Sequence, residues 1–175
     1  MLLILWERIL LAQKNVFSMP LVFLPKPSSS TETKRMNDKV FLDTNILIYL
    51  YSNDDLWKKQ VVSEIVANTN EIVISTQVLT EFSNIGFRKL NLSSLEVATT
   101  LDELATNCDI NINTFKTIKQ AVLVKEKYRY SWFDSLIIAA ALESKCTTLY
   151  SEDMHHQQLI EGSLIIVNPF YIKPL

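Results

Sequence analysis

Four acidic residues stand where carboxylates are hard to explain as ordinary surface: Asp43, Glu81, Asp134 and Asp153. Asp43 closes the apolar run Val40-Phe41-Leu42, and Asp153 follows a second expected strand, Thr147 to Tyr150. Glu81 has Val78 three residues before it and Ile85 four after. On a helix it would share their apolar face. Asp134 begins Asp-Ser-Leu-Ile-Ile-Ala-Ala-Ala-Leu, with Ile137, Ile138 and Ala141 at i+3, i+4 and i+7. A helix apolar nearly all round is a buried one, so this acid is expected to point with core residues. A bare carboxylate there costs on the order of several kcal/mol unless it is paired or bound to a metal.

Each acid also has a plainer explanation. Asp43 can cap the helix behind it. Glu81 can lie at the edge of its face with the carboxylate in water. Asp134 can be a helix cap, or can pair with Lys125 or Arg129. Asp153 can be a polar loop acid, and on chemistry alone Glu152 is its equal. Taken together the four say more. If they meet, either some are protonated or all share a cation. Ligands that are all oxygen favour a hard ion, Mg²⁺ or Mn²⁺, over Zn²⁺. One or two such ions can organise in-line attack of water on a phosphodiester.

Scarcity removes the competing chemistries. The 175 residues include only 2 Gly, 2 His and 2 Cys. No glycine-built phosphate cradle and no nucleophile elbow can be formed. Cys108 and Cys146 form no C-x-x-C, and His155 and His156 are neighbours, without the i, i+4 spacing of a helical zinc site. Two thiols without a disulfide framework fit a reducing cytoplasm.

The elements that must position the acids read as an alternation. Strands are expected at 39–43, 72–75, 109–111, 147–151 and 164–167. Helices are expected over 46–51, with Thr44 or Asn45 as cap, and over 56–68, from Val78 to Ile85, 93–106, 115–128 and 131–144. The strands are apolar runs without polar alternation. That is the signature of a mainly parallel sheet covered on both faces. Such sheets place ligands outside the carboxyl ends of their strands. Asp43 and Asp153 follow strand ends and Glu81 and Asp134 lie near helix starts, so all four are expected on one rim.

The first 36 residues are of another kind. They hold five basic and two acidic residues, Pro20, Pro25 and Pro27, and the run Ser28-Ser-Ser-Thr31. Their net charge is +3 and that of the remainder is −5. Glu7, Arg8 and Lys14 interrupt every apolar window long enough to span a membrane. Residues 1–36 are expected to be a disordered or non-native extension with Met36 as the natural start, and 37–175 the single working domain.

Four stretches carry a family resemblance: Val-Phe-Leu-Asp-Thr-Asn-Ile-Leu-Ile-Tyr (40–49), Ser-Thr-Gln-Val-Leu-Thr-Glu-Phe (75–82), Trp-Phe-Asp-Ser-Leu-Ile-Ile-Ala-Ala-Ala (132–141) and Leu-Tyr-Ser-Glu-Asp-Met (149–154). With the closing Ile-Ile-Val-Asn-Pro-Phe (165–170), they resemble PIN-domain ribonucleases, in particular VapC-type toxins of toxin–antitoxin pairs. The resemblance runs from about residue 37 to 170. It implies a three-layer α/β/α sandwich with a central mainly parallel sheet, and metal-dependent hydrolysis of RNA with Asp43, Glu81, Asp134 and Asp153 as the acidic metal pocket. It thereby favours Asp153 over Glu152. It further implies support of the pocket by Thr44 and Asn45, with Ser135 a weaker candidate, and a homodimer with a small antitoxin partner. One departure stands out. The subgroup often carries Gly soon after its last acid, at about His156 or Gln157 here, so the loop is expected to sit differently.

An acidic domain that holds a polyanion also needs cations. Lys125, Lys127 and Arg129, close before Asp134, are the best candidates for RNA contact, and Arg88 and Lys89 form a second pair. Tyr128, Tyr130 and Trp132 interleave with the first group and can stack on bases. The same cations also suit a solvated helix end. His155 and His156 are placed to assist proton transfer near neutral pH, or are surface residues. Two alternative functions remain open: another metal-dependent phosphodiesterase, such as a DNA nuclease, and a non-catalytic RNA-binding PIN module.

Overall fold

The computed structural model describes residues 39–171. The reading of 1–36 as an extension and of Met36 as a start lies outside the described residues. Six strands form one sheet: β1 (Lys39–Leu42), β2 (Glu71–Ser75), β3 (Asp109–Asn111), β4 (Thr148–Tyr150), β5 (Leu159–Ile160) and β6 (Leu164–Val167). Their order is β3-β2-β1-β4-β6-β5, and every pairing is parallel except that of β5 with β6. Six helices connect them: α1 (Thr44–Tyr51), α2 (Leu56–Asn68), α3 (Thr76–Arg88), α4 (Ser94–Asn107), α5 (Phe115–Tyr128) and α6 (Trp132–Glu143).

The chain steps outward from β1 to β2 to β3, then returns to β4 on the other side of β1. Right-handed crossovers place α1–α4 on one face and α5–α6 on the other. This is the expected α/β/α sandwich with a mainly parallel sheet. Packing agrees: α1 lies against α2 and α3, α3 against α4, and α5 against α6. The sheet interior is apolar because its strands are. Phe41, Leu42, Ile74, Leu149 and Ile166 are fully buried, with Ile46, Phe82 and Ile138 pressed on them from the helices. A smaller core of Ala121, Leu136 and Ala139 joins α5 to α6 under Trp132.

The strand order reverses between β1 and β4. Their registered pairs Phe41–Leu149 and Leu42–Tyr150 bring two carboxyl ends together, and the amide of Asp43 donates to the Tyr150 carbonyl at 3.0 Å. A reversal of this kind opens a crevice at the carboxyl rim, where parallel α/β folds bind ligands.

Three local features add to the sequence reading. The cap of α1 is Asp43 itself, whose carboxylate accepts from the Thr44 amide, rather than Thr44 or Asn45. The edge strand β5 was not expected, because two residues carry no periodicity. Gln157 occupies the left-handed region at φ 64°, near where the resembling subgroup carries Gly. A side chain there costs roughly 1 kcal/mol, because its Cβ crowds the backbone. Gln157→Gly is therefore expected to raise stability by up to about 1 kcal/mol, or about 2–4 °C in the thermal midpoint. A midpoint that falls on a calorimetric scan would refute this reading of the loop.

Candidate active site

The carboxyl rim carries a pocket of about 200 Å³ whose wall includes all four expected acids, Asp43, Glu81, Asp134 and Asp153, together with Thr44, Asn45 and Asn84. Two larger hollows lie elsewhere, one beside α2 and β4 and one along α5, and each has a single acidic residue in its wall.

Asp43 is the inner acid, 6% exposed. The end of β1 delivers it to the rim, and the start of α1 turns the chain away immediately behind it. One carboxylate oxygen accepts from the Thr44 amide at 2.6 Å and the other from the Ser151 hydroxyl at 2.7 Å. Its carboxyl is pushed up to about 6 from an ordinary 3.8. Burial is the main cause, the Ser151 and Thr44 bonds work against it, and the negative charges of Glu81 and Asp134 add to the rise.

Glu81 projects from the second turn of α3, a helix capped by Ser75 at the end of β2. It is half-buried. The Thr44 hydroxyl donates to one of its oxygens at 2.6 Å, and Gln77, one turn earlier, donates to the other at 2.6 Å. Thr44 thus links Asp43 and Glu81, by its amide to one and its hydroxyl to the other.

Asp134 is not the fully buried acid that its sequence neighbours imply. It lies half-buried in the first turn of α6, where the helix emerges at the rim, and unbroken burial begins one residue later at Ser135. It is not the helix cap either. Ser131 caps α6 and accepts from the Asp134 amide at 3.2 Å. The possible partners are engaged elsewhere: Lys125 donates to the Tyr130 carbonyl and Arg129 pairs with Glu126.

Asp153 is exposed and accepts from the Asn45 side-chain amide. Glu152 turns the other way, to the Tyr49 hydroxyl and the Lys58 ammonium. The structure therefore separates two neighbours that chemistry alone leaves equal. Ser135 does not join the pocket wall. Its hydroxyl donates back to the Ser131 carbonyl at 2.7 Å, which steadies the start of α6.

Sequence reasoning passed over Ser151, Gln77 and Asn84. Ser151 follows β4, the strand beside β1, while Gln77 and Asn84 stand four before and three after Glu81, so helical spacing held a signal for both. The expected RNA-contact group is partly occupied. Lys127 reaches Glu161 at 2.9 Å, Tyr130 is buried with its hydroxyl on Gln158, and Trp132 packs into the small core. Neither His155 nor His156 lines the pocket; His156 Nδ1 accepts from the Asn168 amide and its ring stacks on Tyr171. Cys108 and Cys146 are buried free thiols, pushed up to about 12 chiefly by that burial. They are poor nucleophiles.

The donor set suits a hydrated hard cation. Among the described residues no three acidic, His or Cys side chains close on a point as a tight ligand shell. The carboxylates instead surround an open space. Mg²⁺ keeps several waters and takes one or two protein carboxylates, and Asp43 retains lone pairs beyond its two hydrogen bonds.

Fold and pocket define a parallel α/β protein with an acidic site at its topological switch point. The PIN domain model matches residues 40–160. The chain belongs to the PIN-domain family. Solved structures share the fold. The VapC20 toxin of Mycobacterium tuberculosis, described as cleaving the sarcin–ricin loop, is 22% identical with a TM-score of 0.54, over 63% of this chain and 87% of that one. A toxin–antitoxin complex from Klebsiella pneumoniae is 18% identical with a TM-score of 0.58, over 77% and 100%. VapBC2 from Rickettsia felis, bound to a DNA fragment from its promoter, is 21% identical with a TM-score of 0.53, over 73% and 96%. No curated protein sequence matches significantly.

The raised Asp43 carboxyl has a thermodynamic consequence. Its folded-state value lies above its unfolded one, so it favours the folded state at low pH. That contribution is lost as pH rises from about 4 through 6. In EDTA, the unfolding free energy of the parent minus that of Asp43→Asn is expected to fall by about 1–3 kcal/mol between pH 4 and pH 7. A difference that stays flat or rises across this window would refute the assignment.

Proposed function

We propose that this protein is a ribonuclease of the VapC toxin type, hydrolysing RNA phosphodiester bonds with Mg²⁺ or Mn²⁺ held by Asp43, Glu81, Asp134 and Asp153. The observation that carries the reading is the convergence of four carboxylates, from β1, α3, α6 and the loop after β4, on one small rim pocket in a PIN-domain chain. Nuclease activity is the chemistry of that family, and one fold neighbour is described as a sarcin–ricin loop cleaving toxin.

When bound, the ion supplies positive charge that offsets the acids, draws in the scissile phosphate and promotes attack by water. The chain's own residues prepare for it. Thr44 ties Asp43 to Glu81, Asn45 holds Asp153, and Ser151 fixes the second oxygen of Asp43. Three of the four carboxylates, those of Asp43, Glu81 and Asp153, are oriented before ion or substrate arrives.

The wider RNA path is proposed to run over Lys125, Lys127 and Arg129. The ion pairs of Lys127 with Glu161 and Arg129 with Glu126 are exposed and screened by solvent, so exchanging a carboxylate for a phosphate costs little. A small antitoxin partner is proposed because two fold neighbours are toxin–antitoxin assemblies. A homodimer and a cytoplasmic site of action complete the reading. Among the described residues no helix is long and apolar enough to cross a membrane.

Asp134→Asn keeps the side chain's shape and removes its charge. It is expected to reduce RNA cleavage in Mn²⁺ by at least about 100-fold, at the upper end of losses for groups that tune a metal site. EDTA is expected to abolish cleavage by the parent, and added Mg²⁺ or Mn²⁺ to restore it. Gel assays on RNA, with DNA of the same sequence alongside, check this. Undiminished cleavage by the variant, or persistent cleavage in EDTA, would contradict the reading. A preference for DNA would replace the substrate.

A further inference from the structure

Glu152 and Asp153 are consecutive, yet they face opposite sides of one loop, and α1 grips both. Asn45, in its first turn, holds Asp153, and Tyr49, one turn later on the same face, donates to Glu152 at 2.6 Å. Lys58 of α2 completes the second grip. Its ammonium pairs with Glu152 and donates to the Tyr49 hydroxyl at 2.8 Å. It also lies 4.6 Å from the centre of the Tyr49 ring and 4.9 Å from that of Phe170. Those rings meet edge to face at 5.2 Å. Behind them, the Asn168 side-chain amide donates to the Glu152 carbonyl at 3.1 Å.

This assembly is more than a surface ion pair. The Lys58 and Glu152 side chains are only 20% and 27% exposed, so both charges are partly desolvated and held by fixed partners. Two aromatic faces add attraction for the ammonium. The backbone of Glu152 is therefore anchored through its side chain and its carbonyl. The next residue, Asp153, is the most exposed of the four pocket acids and has Asn45 as its side-chain hold.

We infer that Lys58 is a positioning residue for Asp153: by locking Glu152 against Tyr49 and Phe170, it sets the loop so that the Asp153 carboxylate faces the pocket. The inference rests on the proposed role of Asp153 as a metal ligand. It predicts that the Lys58 charge acts on metal affinity without touching metal or RNA.

The test is Mn²⁺ titration of the purified full chain by calorimetry, with RNA cleavage measured across Mn²⁺ concentrations. Lys58→Met keeps an apolar stem over the two rings and removes the charge. It is expected to weaken Mn²⁺ binding roughly 10-fold, the lower end for residues that orient ligands. Its cleavage rate at saturating Mn²⁺ is expected to return to the parent's. Lys58→Arg retains a charge that can pair with Glu152 and is expected to lose less Mn²⁺ affinity than Lys58→Met. Lys58→Met with Asp153→Asn is expected to bind no more weakly than Asp153→Asn alone, because both changes act through one carboxylate. Should Lys58→Met fail to fold, Glu152→Gln breaks the same ion pair at unchanged size and is expected to show the same loss.

Parent-like Mn²⁺ affinity in both Lys58→Met and Glu152→Gln, beside a weakened Asp153→Asn, would overturn the inference while leaving the proposed function intact. So would losses that multiply in the double variant. Parent-like affinity in Asp153→Asn would remove the ligand role on which the inference stands. A parent that binds no Mn²⁺ would remove the proposed function itself.

Discussion

The constraint on which the site depends is the burial of one negative charge. Asp43 is almost out of water at the crossing of β1 and β4, with Glu81 and Asp134 raising the cost of its ionisation. A carboxylate in such a place needs directed donors or a cation. The surrounding structure supplies donors from both flanking segments: the first amide of α1 and the Ser151 hydroxyl just after β4. Those donors offset the burial only in part, and the carboxyl is still pushed up to about 6.

The remaining architecture follows from bringing other acids to that point. A parallel sheet sends its strand ends to one rim, and the reversal of strand order leaves a crevice there. Ser75 and Ser131 begin α3 and α6 at this rim and so fix where Glu81 and Asp134 emerge. Thr44 and Asn45, the first two residues of α1, each bond an acid contributed by a different segment. The pocket is assembled by short polar side chains on rigid elements, which keeps repelling carboxylates in place without closing the space between them.

Much of this was legible in the sequence, because apolar runs ending in acids encode both a strand and its rim. The parallel sheet and most element bounds follow from apolar runs in the strands and helical spacing in the helices. What escaped has specific physical reasons. Asp134 reads as buried because its i+3 and i+4 neighbours are core residues, but at the first turn a helix has no preceding turn to cover it. Ser135 belongs to the resembling motif, yet its hydroxyl is taken by the backbone one turn back. Glu152 and Asp153 are inseparable by type, since the choice is made by Tyr49 and Lys58, about 100 residues earlier in the chain. Tyr130 reads as an exposed aromatic beside cations but is buried, its hydroxyl bonded to Gln158. β5 needs β6 to exist at all.

The central claim is that the rim pocket holds a divalent ion among these carboxylates. Anomalous diffraction from a crystal of this protein soaked in Mn²⁺ tests it most directly. The account predicts a manganese peak inside the pocket bounded by Asp43, Glu81, Asp134 and Asp153, lost when Asp43 is replaced by Asn. A pocket without a peak, or manganese bound only at acids elsewhere on the surface, would contradict it.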